Sequence, residues 1–417
     1  MFKKKNLLNL VQVSFNFLPI SIVLGSLVIN LNIFIFLILS SIFFYQEKVK
    51  LEFNKINTPL FLFFLLIIIS SLINIKIIGF ENFLKSILLL KFFLIYFFLE
   101  TLFKKKRIDL KNFFTISLYL IIFISLDVIL QFITGKNILG FEPHDGRVAG
   151  IFGSEAIAGS FVQKIFLLSL IGLIINLDKF KIKENFSKIV FFIISISGCF
   201  LASNRMSFII LLGILILLLL FFKSIRKSLF ISIILILPIF ATLSQTSKNL
   251  SSNYKDLSNK VQDSINVLEQ KNEKNAFASV NYGRIYYASL LSFKDNMILG
   301  SGLKSFRYKC FDYEKYESVL CSTHPHNYHL EILHDTGLLG FLLLMYFAIV
   351  VLISKYKHIK SRNITFDEKI ILAFIILNFL IEIFPIKSTG SLFSTWTGTI
   401  LWISVALLNY KKINGKK

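Results

Sequence analysis

The sequence has few charged residues for its length. Of its 417 residues 17% are charged, whereas a soluble domain has about 25%. Hydrophobic residues make up 55%, and the mean hydropathy is +0.71. A core in water cannot bury so much phenylalanine, leucine and isoleucine, which excludes a soluble globular protein. We therefore predict an all-α polytopic membrane protein.

Apolar runs between lysine-rich interruptions predict about twelve transmembrane helices and one large periplasmic loop. The runs lie near residues 8–27, 31–45, 58–75, 83–102, 113–134, 155–176, 189–203, 206–222, 229–243, 337–354, 370–386 and 396–409. Nine helices are expected within residues 1–243, the loop at 244–336, and three helices within 337–417. We expect these parts to form a single integrated domain.

Acidic residues are scarcer than basic ones, 24 against 46, so the formal net charge is +22. Of the 46 basic residues, 27 fall on one side of an alternating topology. By the positive-inside rule that side is cytoplasmic, and both termini are predicted to lie there. This charge is spread thinly over seven segments without an aromatic platform, so no nucleic-acid partner is expected. The basic start runs directly into a full span without a small-residue cleavage site, so no cleaved signal peptide is expected.

The loop at 244–336 is too long for a simple connection, and loops of this length are usually functional or disordered. Its first part carries apolar residues at helical spacing, namely Leu257, Val261, Ile265 and Leu268. A short amphipathic helix and a mobile linker explain that part equally well. From Tyr282 to Phe293 we predict a helix with an aromatic face, followed by a turn at Gly300 and Gly302.

Four of the six histidines fall within residues 322–340: His324, His326, His329 and His334. Pro325 suits the first position of a helix, which would place His326 and Asn327 in the first turn. A helix N-terminus attracts anions and disfavours imidazolium, so His326 is predicted to stay neutral and able to accept a proton. Gly337 suits a helix end or a bend into the next span.

Arginine is rare beside lysine, with seven residues against 39. Arg147, Arg205 and Arg284 lie outside the predicted cytoplasmic segments. A guanidinium binds phosphate through a planar fork that lysine cannot reproduce, so these three could converge on one diphosphate at the outer face. Each could instead be a headgroup-level anchor, which is the preferred interpretation of Arg307.

Four charged residues interrupt apolar spans: Lys91, Asp127, Lys164 and Glu382. Charges in lipid are costly and normally pair or face a wet cavity. We predict a polar cavity that opens outward beneath the histidine loop. Lys91 and Asp127 are a candidate pair, for which a purely structural role is equally consistent.

Only three cysteines occur in the chain. Cys199 lies in a span as a small apolar residue. Cys310 and Cys321 share the outer loop, where a disulfide is chemically permitted, and we predict that they pair. Three loop histidines, His324, His326 and His329, could bind zinc. A helix that starts at Pro325 would turn His324 away from the other two, so a site without metal is preferred.

The histidine segment carries a spaced motif. His326 and Asn327 are followed by nine residues, then Gly337, two residues, and Gly340. The chain thereby resembles the O-antigen ligase family, whose signature is His, then Asn, Ser or Gln, nine residues, Gly, two residues, and Gly, Thr or Tyr. About twelve spans with both termini inside also resemble the family, so the resemblance covers most of the chain.

The resemblance implies transfer of a glycan from undecaprenyl diphosphate to an acceptor hydroxyl, commonly on the lipid A core. The reaction would occur at the periplasmic face of the bacterial inner membrane, without cofactor or metal. His326 would be the general base, and Arg284 and Arg205 would stabilise the departing diphosphate. Asn327 would orient substrate, Arg147 is a further candidate for diphosphate binding, and the aromatic spans would admit the polyprenyl tail.

Other functions stay open at this point. If the acceptor is a second lipid-linked glycan, the protein is a polymerase of the same superfamily, and a pilin-type protein is another possible acceptor. A secondary transporter with twelve spans is an alternative of a different class. That alternative predicts internal repeats and a site at the bilayer midplane, and the two halves show no repeat.

Overall fold

A computed structural model of the protein describes residues 4–144, 146–179, 183–247, 249–255, 259, 281–316, 318–361, 365–385 and 387–410. Within these ranges the chain is all-helical, with 78% of residues in helices and no strand, so the predicted all-α class is confirmed. The amphipathic helix suggested by Leu257, Val261, Ile265 and Leu268 lies outside the described residues.

The helices follow the predicted apolar runs, and every run overlaps one of them. In chain order they are α1 Lys4–Leu24, α2 Ser26–Gln46, α3 Asn57–Ile73, α4 Ile75–Leu88, α5 Leu90–Lys104, α6 Lys111–Thr134, α7 Ala158–Asn176, α8 Glu184–Leu201, α9 Arg205–Phe221, α10 Lys223–Thr246, α11 Asn281–Phe293, α12 Phe306–Lys309, α13 Tyr328–Ile359, α14 Phe366–Glu382 and α15 Thr395–Leu407. The predicted helix at 282–293 is confirmed as α11.

Eight helical stretches in the described residues are long and apolar enough to cross a membrane. One of them, Ile75–Lys104, has 30 residues and contains α4 and α5. Three further apolar helices, α3, α9 and α15, are shorter. The membrane class is therefore confirmed, whereas the count of twelve spans and the periplasmic side of the loop stay predictions.

The chain divides into two compact units. One comprises Met1–Asp109 and Gln262–Lys417, where α3 packs against α13 and α5 packs against α15. The other comprises Leu110–Val261, where α6 packs against α7 and α8, and α8 packs against α10. The boundaries predicted after residues 243 and 336, and the integration of all parts into a single domain, stay predictions.

Helix α13 is broken at Gly337, whose φ of 67° and ψ of −172° lie in a region open almost only to glycine. The turn at residues 297–302 docks into this break, and Gly300 and Gly302 also have positive φ. Four backbone hydrogen bonds join the two segments: Ser301 N to His334 O at 2.9 Å, Gly302 N to Asp335 O at 3.0 Å, Leu338 N to Met297 O at 2.8 Å and Leu339 N to Ile298 O at 3.2 Å. The predicted bend at Gly337 and the predicted turn are both confirmed.

The charged residues within the helices have partners other than those predicted. Lys91 Nζ donates to Asn30 Oδ1 at 2.6 Å and to Thr395 Oγ1 at 3.3 Å. Asp127 Oδ1 accepts from the backbone N–H of Ile138 at 2.9 Å. These bonds give both charges nearby polar partners, so the proposed pairing of Lys91 with Asp127 is not needed to explain them. The other carboxylate oxygen, Asp127 Oδ2, is buried without a hydrogen-bond partner in the described residues.

Glu382, at the end of α14, forms a buried ion pair with Lys387, with 3.4 Å between Lys387 Nζ and Glu382 Oε2. Lys164 is buried within α7. The polar cavity predicted beneath the histidine loop stays a prediction.

Candidate functional site

Asn327 sets the start of α13. Its side-chain Oδ1 accepts from the backbone N–H of His329 at 3.0 Å and of Leu330 at 3.2 Å, so it is the N-cap and the helix begins at Tyr328. The predicted start at Pro325 is therefore wrong. The Asn327 side chain has an oxygen that accepts hydrogen bonds from the first free N–H groups of the helix, whereas the proline ring has no acceptor. Those two N–H groups are occupied by Asn327, so the helix end does not offer them to an anion.

His326 precedes the helix and has a left-handed backbone, with φ 54°. Its Nδ1 lies 3.3 Å from the carbonyl oxygen of Thr389, and its Nε2 lies 3.1 Å from Ser322 Oγ. A carbonyl oxygen only accepts, so in the neutral ring Nδ1 carries the hydrogen and Nε2 keeps its lone pair. Nε2 is therefore the basic atom, and the Ser322 hydroxyl donates to it.

The surroundings of His326 keep its ring neutral. Burial lowers the pKa of His326, and the hydrogen bond to the Thr389 carbonyl opposes that shift. The direction is the predicted one, but the cause is burial rather than the field of a helix N-terminus. The imidazole is thus held as a free base.

The other loop histidines occupy different positions from those expected. The rings of His324 and His326 lie 4.0 Å apart, and Tyr282 packs edge-on to His326 at 5.4 Å. His329 instead bonds through Nε2 to the carbonyl of Ile383 at 2.8 Å. His324 was expected to be turned away from His326 and His329, and this expectation is wrong. The helix starts after His324 and His326, so these two rings stay together and His329, inside the helix, is the one that lies apart. Among the described residues no three His, Cys, Asp or Glu side chains are grouped to hold a metal.

The segment after α14 is bound tightly to the first turn of α13. Asn327 Nδ2 donates to the carbonyl of Pro385 at 2.6 Å. Glu331, which is buried, accepts from the backbone N–H of Leu392 at 2.7 Å. These bonds fix the carbonyl that orients the imidazole, so the geometry of the base depends on contacts between distant parts of the chain.

A small core supports the other side of the loop. Cys310 and Cys321 form a disulfide, which confirms the predicted pairing. Cys310 and Val319 pack with Ile285 and Phe306 in one buried cluster. Helix α11 is thereby attached to the loop segment that leads into the histidine motif.

Arg284 projects from the first turn of α11. Its Nη2 donates to the carbonyl of Val319 at 3.0 Å, and its Nε is buried without a hydrogen-bond partner in the described residues. Burial raises the pKa of Tyr286 to about 12, and a hydrogen bond with the Asn327 side chain opposes the shift. Helix α11 therefore contacts the histidine segment through Tyr282 and Tyr286, and Arg284 is anchored on the same helix by its bond to Val319.

Arg205 and Arg147 belong to the second unit. Arg205 is the first residue of α9, and its Nη2 donates to Asn253 Oδ1 at 3.3 Å. Asn204 caps the same helix through its side chain. Arg147 is exposed in the loop before α7, where its backbone pairs with that of His144.

An apolar groove of about 420 Å³ lies between α8, α9 and α10 in the second unit. Phe208, in the first turn of α9 after Arg205, lines one end, and Leu219 lines the other. These residues are eleven positions apart, so the groove follows α9 for roughly 16 Å. Phe200 and Phe240 stack at 3.9 Å between ring centroids near the Arg205 end.

Several residues near the base were not predicted from the sequence. Ser322 lies four residues before His326, and outside a helix this spacing does not predict that two side chains are in contact. Thr389 acts through its backbone carbonyl, which any residue type supplies. Lys304 and Arg307 lie close enough to His324 to lower its pKa, although Arg307 was expected to be only a headgroup anchor.

These features define a helical membrane protein with a half-buried imidazole base, and with Lys304 and Arg307 near the adjacent His324. Residues 190–345 match the family model described as O-antigen ligase, so the resemblance seen in the histidine motif is confirmed. The matched region contains Arg205, Arg284, His326 and Asn327 but not Arg147. It implies a bacterial membrane enzyme of glycosyltransferase type that handles glycans as O-antigen ligases or polymerases do. No curated protein sequence matches the chain.

Proposed function

We propose that the protein transfers a glycan from undecaprenyl diphosphate to an acceptor hydroxyl of the lipid A core, at the periplasmic face of the inner membrane. The observation that carries this proposal is the hydrogen bonding of His326, whose Nδ1 donates to the Thr389 carbonyl and whose Nε2 lone pair points to the Ser322 hydroxyl. His326 lies in a region that matches the O-antigen ligase family. Both the residue and its tautomer suit a general base.

The chemistry begins with the acceptor hydroxyl taking the position of the Ser322 hydroxyl beside Nε2, which is 3.1 Å from Ser322 Oγ. Nε2 removes the hydroxyl proton as the acceptor oxygen attacks the anomeric carbon of the donor glycan. The bond from that carbon to the diphosphate oxygen breaks, and the diphosphate leaves with the electron pair. Charge therefore grows on the diphosphate in the transition state.

Arginines are proposed to stabilise that growing charge. Arg284 has a guanidinium N–H without a partner in the described residues, so it can donate to a phosphate oxygen. Arg205 and the exposed Arg147, in the second unit, are likewise proposed to bind phosphate oxygens. Asn327 is proposed to orient substrate chiefly by holding the His326 segment, since its side chain already caps α13 and bonds to Pro385.

The donor's polyprenyl tail is proposed to occupy the apolar groove between α8, α9 and α10. Arg205 lies one turn from the Phe208 end of the groove, so a diphosphate at Arg205 would have its tail in apolar surroundings. A lipid-linked donor needs this combination of a cation and an adjoining apolar channel.

The test is in vitro transfer by the purified full chain from a lipid-diphosphate glycan, with core lipid and a second lipid-linked glycan offered in turn as acceptors. His326→Gln removes the base and is expected to lower kcat by about 10²- to 10⁴-fold. His358→Gln, at the other end of α13, is the matched control and should transfer at the wild-type rate.

The same assay separates the roles of the cations and the acceptors. Arg284→Lys keeps the positive charge but loses the planar guanidinium, whereas Arg284→Gln loses both. The lysine variant should therefore retain more activity than the glutamine variant. Full transfer by His326→Gln would refute the mechanism. Transfer only to the second lipid-linked glycan would identify a polymerase rather than a ligase.

A further inference from the structure

Two cations that the proposed mechanism does not use lie in the segment around α12. Lys304 and Arg307 are each partly buried, and neither side chain makes an ion pair or a hydrogen bond within the part of the chain that the structure describes. Nε of Arg307 is buried and has no partner there. An unpaired buried donor is costly, and an anion that accepts from it would remove that cost.

The backbone that carries these cations is held in place. The backbone N–H of Lys304 donates to Asp335 Oδ2 at 2.7 Å, and its φ of 59° places it in a tight left-handed turn. Tyr308, next to Arg307, accepts from Asn82 Nδ2 at 3.1 Å. A fixed backbone limits the positions that the two cationic side chains can take, which lowers the cost of ordering them around an anion.

The cations lie close enough to His324 for their charges to act on its ring. The ring of His324 lies 4.0 Å from that of His326, and its Nδ1 is 3.0 Å from Thr323 Oγ1. Nε2 of His324 is buried without a partner among the described residues. Burial lowers the pKa of His324 to about 4, the charges of His326, Arg307 and Lys304 lower it further, and the nearby Thr389 backbone opposes the shift. When Thr323 donates to Nδ1, the neutral ring carries its hydrogen on Nε2 and adds a third donor beside the two cations.

The two cations also repel each other. Burial, followed by the positive charges of Arg307 and Lys85, lowers the pKa of Lys304, and the carboxyl groups of Glu331 and Asp335 oppose that shift. Like charges brought together in a partly buried place are unfavourable until a counter-charge enters. The buried Nε of Arg307 and the buried Nε2 of His324, both without a partner in the described residues, are the geometric indication that an anion binds among these groups.

We infer that Lys304, Arg307 and His324 form a binding site for a phosphate group carried by the acceptor, and that this site brings the acceptor hydroxyl to Nε2 of His326. The inference rests on the proposed function, in which the donor diphosphate is bound by other arginines. We assign the phosphate group at Lys304, Arg307 and His324 to the acceptor, because the neighbouring base takes its proton from the acceptor hydroxyl. The cations would also offset repulsion between an anionic acceptor and the donor diphosphate.

The kinetic test compares a phosphorylated glycolipid acceptor with the same acceptor after phosphatase treatment. Arg307→Gln should raise KM for the phosphorylated acceptor by about 10- to 100-fold, the loss expected for a hydrogen bond to a charged group. KM for the donor should not change, and the dephosphorylated acceptor should react equally with wild type and variant. Lys294→Gln, which removes an exposed lysine, is the matched control, and Arg307→Lys should restore part of the affinity.

Two kinetic results would overturn the inference. A rise in KM for the donor would assign the cations to the donor diphosphate. An equal loss with both acceptors would show that Arg307 acts on the structure and not on the phosphate.

A binding measurement separates failure of this inference from failure of the proposed function. Inorganic phosphate is titrated into the purified full chain by calorimetry, which needs no transfer. Weaker binding by Arg307→Gln than by Lys294→Gln is expected, and equal binding would overturn the site. If the wild type transfers to neither acceptor, the proposed function fails, and this titration still decides whether the anion site exists.

Discussion

Replacement of Gly337 by alanine tests whether the break in α13 holds the histidine motif in place. With φ 67° and ψ −172°, Gly337 has a backbone conformation that an alanine adopts only under strain. A Cβ there would also overlap the carbonyl of Ile298 and the amide nitrogen of Gly300. The docked turn at residues 297–302 would have to move away from the helix.

The cost follows from these two effects. The strained backbone contributes about 1–3 kcal/mol. If the bonds from Leu338 and Leu339 to the turn are lost as well, each adds about 0.5–1.5 kcal/mol. We therefore expect Gly337→Ala to lower the free energy of unfolding by roughly 2–6 kcal/mol.

Thermal unfolding of the full chain in detergent measures the effect. At about 2 °C per kcal/mol for a chain of this size, Tm should fall by roughly 4–12 °C. Gly213→Ala is the matched control, because Gly213 is helical, exposed and has nothing within 4 Å of an added Cβ. That substitution should leave Tm unchanged or raise it slightly. Equal Tm values for the two variants would refute the account of the break.

Two further predictions concern the base and the helix start. Because burial lowers the pKa of His326, the ring stays neutral below the ordinary imidazole value of about 6.5, and kcat/KM should fall only as the pH drops through this lowered pKa. A profile of kcat/KM against pH checks this, and an inflection above the ordinary value would contradict it. Asn327→Ala loses both the cap and the bond to Pro385, whereas Asn327→Ser keeps a capping oxygen, so alanine should be less stable than serine by about 1 kcal/mol. Thermal unfolding compares the two variants, and indistinguishable Tm values would show that the cap does not stabilise α13.

Much of the architecture was predictable from local patterns. Low charge and long apolar runs predicted the all-α membrane class, because the bilayer requires apolar helices of a minimum length. The helix that carries Arg284, the break at Gly337 and the pairing of Cys310 with Cys321 also followed from nearby residues. Each of these features depends on a short stretch of chain or on a spacing within one loop.

The detailed site was less predictable, because its partners are distant in the sequence. The tautomer of His326 depends on the carbonyl of Thr389, which lies 63 residues away. That carbonyl is fixed by Asn327 and Glu331 through bonds to the segment after α14. A backbone carbonyl has no signature in the residue type, so no motif could identify it.

The start of α13 shows how a local signal can mislead. Pro325 is a good first residue of a helix, yet Asn327 caps the helix two residues later, and His326 between them takes a left-handed backbone. This shift places His324 beside His326 and moves His329 away.

The sequence by itself determined the class of protein, the histidine motif and the arginines available for a phosphate ligand. Periodicity, composition and spacing are properties of the chain alone, and they suffice for these features. Only the tertiary structure decided which nitrogen of His326 is basic and that Lys304 and Arg307 lie near the histidine pair. Burial and hydrogen bonding set these properties, and both depend on segments that meet only when the chain folds.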